Sequence, residues 1–229
     1  MNRELTYRII TSVFLLAGAF FFILLGQTLF GIVNFLIAII AFDEWSKMNY
    51  KFYYLKNRSK NRKDHYSNIK ILGFFYLFFY LSTSLLLRGD SFESAIFFIT
   101  ILCVCIFSDI GGYIFGRIIG GKKLTKISPN KTIAGSIGSF VFSIFPLLLV
   151  NLQNYIIINF DFSFKSILFC LTISLFCQLG DLFISFFKRL NKVKDTGTIL
   201  PGHGGILDRI DGIILAIPLV WILKVTQIF

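Results

Sequence analysis

The sequence predicts an all-α polytopic membrane protein of about seven transmembrane helices, N-in and C-out, with a candidate active site at the cytoplasmic interface. Three observations predict it. Apolar residues make up 55% of the chain and aromatics 17%, against only 15% charged, a balance too apolar for a soluble chain of this length. Hydrophobic runs recur near the length a helix needs to cross about 30 Å of hydrocarbon, roughly 20 residues at 1.5 Å each. Cations gather on alternate loops between those runs.

The runs are 9–25, 28–42, 71–87, 95–119, 133–152, 164–187 and 210–228. The first follows Arg3 and Arg8 with the charge pattern of a signal peptide. It is long for one and no small-x-small site follows, so an uncleaved anchor is expected. Only Gly26 and Gln27 separate it from the second run, which makes the pair either a tight hairpin of thin helices or a re-entrant element. Residues 43–70 read as a loop that mixes Trp45, Tyr50, Phe52, Tyr53 and Tyr54 with cations. Such a loop is either a helix lying in the interface or a solvated cytoplasmic loop with an aromatic belt.

Seven spans from an N-in start leave only Arg88, Lys165 and Lys224 of the 23 Lys and Arg on the outer side. A net charge of +11 therefore reflects contact with anionic headgroups, and no nucleic-acid partner is expected. Cys103, Cys105, Cys170 and Cys177 lie in apolar runs without a CxxC and read as packing residues. The chain 1–229 is expected to be a single integral membrane domain. Residues 1–104 supply N-terminal spans and a basic loop; residues 105–229 supply the helices and loops that carry chemistry.

Asp109 interrupts the fourth run, where a carboxylate costs about 2.5–3.5 kcal/mol on insertion scales and is therefore paired or functional. Tyr113 and Arg117 follow at one and two turns. Ser108, Gly112, Gly116 and Gly120 form a small-residue stripe beside it, fit for close helix approach and admitting a helix-packed homodimer. Next, Ser128 and Pro129 read as the N-cap and first-turn proline of the fifth helix, with Lys131 and Thr132 in the same turn. That start is either an ordinary capped helix or a phosphate site. In the sixth run Asp181, Ser185 and Lys188 or Arg189 share one helical face. A glycine-rich loop with Asp195, Gly197, Pro201, Gly202, His203, Gly204 and Gly205 follows, its glycines allowing backbone amides to approach a polyphosphate. Asp208 and Asp211 then stand three apart around Arg209. Carboxylates from different helices meeting at the interface suit a hard cation such as Mg2+, with substrate phosphates completing its shell.

The run SFFKRLNKVKDTGTILPGHGGILDRID resembles the signature of the CDP-diglyceride synthetases, or phosphatidate cytidylyltransferases. The match comprises Ser185, Lys188, Arg189, Lys194, Asp195, Gly197, Pro201, His203, Gly204, Gly205, Asp208, Arg209 and Asp211. Asp109, Tyr113, Gly116 and the SPxKT element at Ser128, Pro129, Lys131 and Thr132 resemble the same family, so the likeness covers about residues 105–215. Asn130 stands where the family commonly has lysine, and Ala134 where a glutamate often follows.

This resemblance implies transfer of CMP from CTP to phosphatidate, with CDP-diacylglycerol and pyrophosphate as products. It implies a Mg2+ requirement, with Asp181 and Asp208 as metal ligands and Asp211 as a further one; a second cation is admitted. Asp181, Asp208, His203, Lys188 and Arg189 are then the expected catalytic residues. Asp109, Tyr113, Ser128, Lys131, Thr132, Ser185, Lys194, Asp195, Gly204, Gly205 and Arg209 are the expected substrate-binding ones. The expected location is a bacterial inner (cell) membrane, in contact with its lipids. Two rivals are a CTP-dependent lipid-alcohol kinase, which moves the γ-phosphate, and a membrane transporter, which consumes no CTP.

Overall fold

The computed structural model describes residues 3–55, 60–152, 163–200 and 204–227. Among the described residues eight helices follow in order: α1 (Arg3–Leu24), α2 (Gln27–Leu55), α3 (Lys60–Arg88), α4 (Phe92–Ile118), α5 (Ile133–Ser143), α6 (Phe145–Leu152), α7 (Phe164–Leu190) and α8 (Leu207–Val225). Among the described residues the β pairing consists of two isolated bridges, Lys123 with Thr132 and Leu200 with Gly204. Gln27–Tyr50, Tyr66–Arg88, Phe92–Ile118 and Phe164–Leu190 are long and apolar enough to cross a bilayer, whereas Thr11–Leu24 and Ile133–Leu148 are apolar but shorter. The protein has an all-α, multi-pass membrane fold. Its exposed surface fits that solvent: Phe14, Phe21, Phe75, Phe78 and Ile137 are all more than half exposed.

The first two runs form separate helices in contact, joined at Gly26, whose φ of 125° only glycine adopts readily. The expected loop over 43–70 is corrected: α2 continues to Leu55 and α3 begins at Lys60. Charge misled the reading, because cations mark contact with water and not the end of a helix. Ala41, Glu44, Trp45, Met48 and Asn49 are buried while Asp43, Lys47 and Tyr50 are exposed, the 3.6-residue stripe of an amphipathic extension. Trp45 anchors it. Its indole donates to the Ile69 carbonyl at 2.9 Å, lies parallel to Phe183 and meets Phe187 at 4.6 Å between ring centres. Gly73 leaves the room, since a Cβ there would collide with the indole.

The fifth run is also corrected, into α5 and α6. Pro146 has no N–H to give to Phe142, so the helix breaks at Ile144 and turns through tighter bonds from Ile144 to Val141 and from Leu147 to Ile144. The expected N-cap at Ser128 moves to Thr132, whose hydroxyl accepts from the Gly135 N–H at 3.0 Å. Ser128–Pro129 instead opens a turn closed by the Lys131 N–H donating to the Ser128 carbonyl. Serine followed by proline suits either place, since proline is at home both at the first position of a helix and at the second of a turn. The Lys123–Thr132 bridge folds this hairpin back over the end of α4.

The small-residue stripe of α4 is filled from within the chain. Added Cβ atoms at Gly111 and Gly138 would each collide with the facing backbone, and one at Gly135 would lie 2.8 Å from the Gly112 carbonyl and 3.3 Å from the Gly116 Cα. Thus α4 and α5 touch backbone to backbone, as small residues permit. A second close crossing joins α7 to α8, where Gly180 abuts Asp211 and Gly212, and Gly212 abuts Cys177. Both crossings lie beside acids: Asp109 on α4, and Asp181 and Asp211 on α7 and α8.

Candidate active site

These crossings enclose a cavity of about 410 Å³. Asp109 and Tyr113 enter from α4, Ser128, Lys131 and Thr132 from the hairpin, Asp181 and Lys188 from α7, Asp195 from the loop, and Asp208, Arg209 and Asp211 from α8. Eleven of the residues expected from sequence therefore share one space, although just over a hundred positions separate the first from the last. Gln178, Ser136 and Ser139 also line it, and sequence reasoning gave them no role. A signal was present: Thr132, Ser136 and Ser139 follow a helical stripe on α5, as do Ser174, Gln178, Asp181, Ser185 and Lys188 on α7.

The remaining expected residues stand around this space. Ser185 is buried and donates to Asp181 Oδ1 at 3.1 Å, orienting that carboxylate. Arg189 is exposed and turned toward the hairpin, its Nε donating to the Ile127 carbonyl at 3.3 Å. Lys194 is exposed and does not line the cavity. Gly204, at φ 85°, lies against Asp195 and Asp208. His203, with Pro201 and Gly202, falls outside the described residues.

Two ion pairs set the electrostatics. Lys131 Nζ reaches Asp181 Oδ2 at 2.5 Å, tying the hairpin to α7 above the cavity. Lys188 Nζ meets Asp208 Oδ1 at 2.7 Å, with side chains only 11% and 5% exposed. Asp208 Oδ2 accepts from the Thr196 N–H at 2.7 Å, the Thr196 hydroxyl at 2.9 Å and the Gly205 N–H at 3.0 Å. Burial alone would push this carboxyl up, but the Lys188 ammonium and the Thr196 and Gly205 amides outweigh it and hold Asp208 below its ordinary value.

The other acids are less saturated. Asp211 Oδ1 accepts from the Gly212 N–H at 3.0 Å, and Asp109 has the Cys177 thiol 4.0 Å away. Asp109, Asp181 and Asp211 are near enough to feel one another's charge. Among the described residues no three acids, histidines or cysteines already converge in a metal-holding geometry. The donor chemistry nevertheless fits a hard divalent cation, since Mg2+ needs only one or two carboxylates when substrate phosphates and water supply the rest. Asp181, whose oxygens face Ser185 and Lys131, and Asp211 stand in the cavity walls. Asp208 is held by Lys188 on Oδ1 and by three loop donors on Oδ2.

The expected role of the loop glycines also changes. Gly197 and Gly205 do not merely bare their amides: an added Cβ at either would strike the carboxylate of Glu44. Glu44, near the middle of α2, is buried and receives N–H groups from the start of α8. Sequence reasoning missed it because it had been assigned to the basic loop. An acid one residue before a tryptophan, at the edge of an apolar run, was the available signal.

Comparison with known proteins gives the family. A phosphatidate cytidylyltransferase of Rickettsia bellii is 33% identical over 231 residues, covering 97% of this chain and 92% of the relative. One from Staphylococcus haemolyticus is 38% identical over 160 residues, 69% of this chain and 57% of the relative. One from Staphylococcus saprophyticus is 47% identical over 120 residues, 52% of this chain and 45% of the relative. The chain thus spans about half the length of these staphylococcal relatives and nearly all of the rickettsial one. The model of the cytidylyltransferase family matches residues 49–226, which takes in every helix that lines the cavity, and the chain belongs to that family.

Proposed function

We propose that the chain is a phosphatidate cytidylyltransferase, an integral membrane nucleotidyltransferase of phospholipid biosynthesis that converts CTP and phosphatidate to CDP-diacylglycerol and pyrophosphate. The observation that carries this reading is the single cavity in which acids and cations from α4, the 120–132 hairpin, α7 and α8 converge. Hydroxyls and an amide lie on the same walls, giving a lipid phosphate and a nucleotide triphosphate partners of both kinds. Family membership and the names of the relatives support the same reaction.

In this reaction a phosphate oxygen of phosphatidate attacks the α-phosphorus of CTP. The bond from the α-phosphorus to the oxygen bridging it to the β-phosphorus breaks, and that oxygen leaves with pyrophosphate. The attacking dianion is nucleophilic already, so positioning and charge neutralisation matter more than a strong base. Lys131, Lys188 and Arg209 neutralise phosphate charge from three sides, aided by Arg189 and Lys194 at the rim. Tyr113, Ser128, Thr132, Asp195 and Gly204 bind substrate around them, and Gly205 acts through Asp208, which its amide holds. Asp109 orients cations across the cavity, and His203 orients a phosphate or protonates the departing pyrophosphate.

Mg2+, with a second cation admitted, would supply charge neutralisation at the triphosphate; Asp181 and Asp211 would hold it, since Asp181 can exchange Lys131 for the ion whereas Asp208 is held by Lys188 and the loop donors. The residues that line the cavity come from one chain. Seven spans with the N-terminus inside set the cavity at the cytoplasmic face of the cell membrane, where CTP arrives from water and phosphatidate from the leaflet. The test is turnover of phosphatidate with CTP labelled at the α or γ position, with and without chelator. Label from the α position in lipid is the expected result. Label from γ would make the chain a lipid-alcohol kinase, and absence of CTP consumption would favour a transporter.

A further inference from the structure

Glu44 belongs to α2, in the half of the chain that sequence reasoning kept apart from chemistry, and it lies just before the first residue matched by the family model. It is 3% exposed. Its Oε1 accepts from the Ile206 N–H at 3.0 Å; its Oε2 accepts from the Leu207 N–H at 2.9 Å and the Thr196 hydroxyl at 3.2 Å. Helix α8 opens at Ile206, which offers no side-chain cap of its own. The carboxylate of a distant helix therefore does the work that a Ser or Asp N-cap ordinarily does, where helix N–H groups and the positive dipole end favour an anion.

Three donors meet this carboxylate, and Gly197 and Gly205 bring the loop backbone against it. A second tie lies further along α2, where the Asn191 amide donates to Asn49 Oδ1 at 2.9 Å. From Glu44 the chain of contacts runs inward: Thr196 shares its hydroxyl between Glu44 and Asp208, and Asp208 holds Lys188 in the cavity.

We propose that Glu44 is a positioning residue for the transfer reaction: it clamps the loop between α7 and α8 so that Asp208 and Lys188 meet the nucleotide phosphates in a fixed geometry. This rests on the function proposed above for the cavity. A carboxylate is needed because an amide has only one acceptor oxygen and would turn an NH2 toward a backbone N–H.

Three variants test it in detergent-solubilised full-length protein. Glu44→Gln should lower kcat/KM for CTP by about tenfold to a hundredfold, the scale expected when binding groups are misplaced rather than removed, and should speed tryptic cleavage after Lys192 and Lys194. Thr196→Val, which removes only the shared hydroxyl and serves if the first variant misfolds, should act in the same direction. Combined with Glu44→Gln, it should cost much less than the sum of the two losses. Arg88→Lys is the control for stability alone: Arg88 holds the Ile23 carbonyl at the far end of the bundle, and its variant should melt earlier with KM for CTP and loop cleavage unchanged. Wild-type kinetics and cleavage in Glu44→Gln and Thr196→Val would overturn the proposal, as would Arg88→Lys reproducing their effects. Faster loop cleavage in a protein whose wild type turns over no CTP would uphold the clamp and reject the reaction.

Discussion

Lys188 Nζ and Asp208 Oδ1, on different helices and twenty positions apart in the chain, meet at 2.7 Å with almost no solvent around them. Their pairing closes α7 against α8 in the wall of the cavity. Removing one member of a buried pair strands the other charge, at a cost of about 3–5 kcal/mol. Asp208→Asn should therefore lose turnover by at least about a hundredfold and melt earlier in detergent. The double variant Lys188→Met with Asp208→Asn should recover part of the melting temperature and none of the activity. Thermal unfolding and α-labelled CTP turnover on the same preparations check both.

The same pair predicts a pH response. Asp208 is held below its ordinary value of 3.8, so folding favours its charged form. Its contribution to stability is fully present above that ordinary value and is lost as pH falls through the lower folded one. The difference in melting temperature between wild type and Asp208→Asn should be constant from neutral pH down to about 4 and should shrink below it. A difference that grows in acid would contradict the assigned sign.

Helix contact gives a third expectation. Gly138 faces Phe115 and the Gly111 backbone with no room for a methyl group, whereas Gly18 has nothing within 4 Å. Gly138→Val should force α4 and α5 apart at a cost at or above the usual 1–3 kcal/mol or so of overpacking, carrying Asp109 away from Asp181. Gly18→Ala should be neutral or slightly stabilising, since it removes helix entropy cost without a clash. Melting in detergent ranks the two.

Much of this site was legible before any coordinates, and the reason is local. Asp181, Ser185 and Lys188 announce a polar face on one helix, and Asp208, Arg209 and Asp211 fall within one turn of another, so spacing alone groups them. The Ser128 cap was misplaced because serine followed by proline satisfies a turn as well as a helix start, and only the Lys123–Thr132 bridge decides between them. The role of Glu44 was not legible from its place beside Trp45. Its partners lie more than 150 positions away, and its neighbours Asp43 and Lys47 form an ordinary exposed pair that disguised it as surface. Local pattern reports faces; it does not report which faces meet.

Metal dependence separates the acids. Asp181 spends one oxygen on Ser185 and the other on Lys131, a cation that substrate phosphate can draw away. Asp211 Oδ1 accepts from the Gly212 N–H. Asp208 accepts from Lys188 on Oδ1 and, on Oδ2, from three donors that also hold the loop. If Asp181 and Asp211 are the ligands, Asp181→Asn and Asp211→Asn should raise the Mg2+ concentration for half-maximal turnover by about tenfold or more, while loop cleavage by trypsin stays at the wild-type rate. Asp208→Asn should do the reverse, losing loop protection with little change in the Mg2+ dependence of whatever turnover is left. A Mg2+ titration beside a proteolysis time course reads both axes. Equal Mg2+ shifts in all three variants would instead make Asp208 a ligand that exchanges Lys188 for the ion when substrate binds.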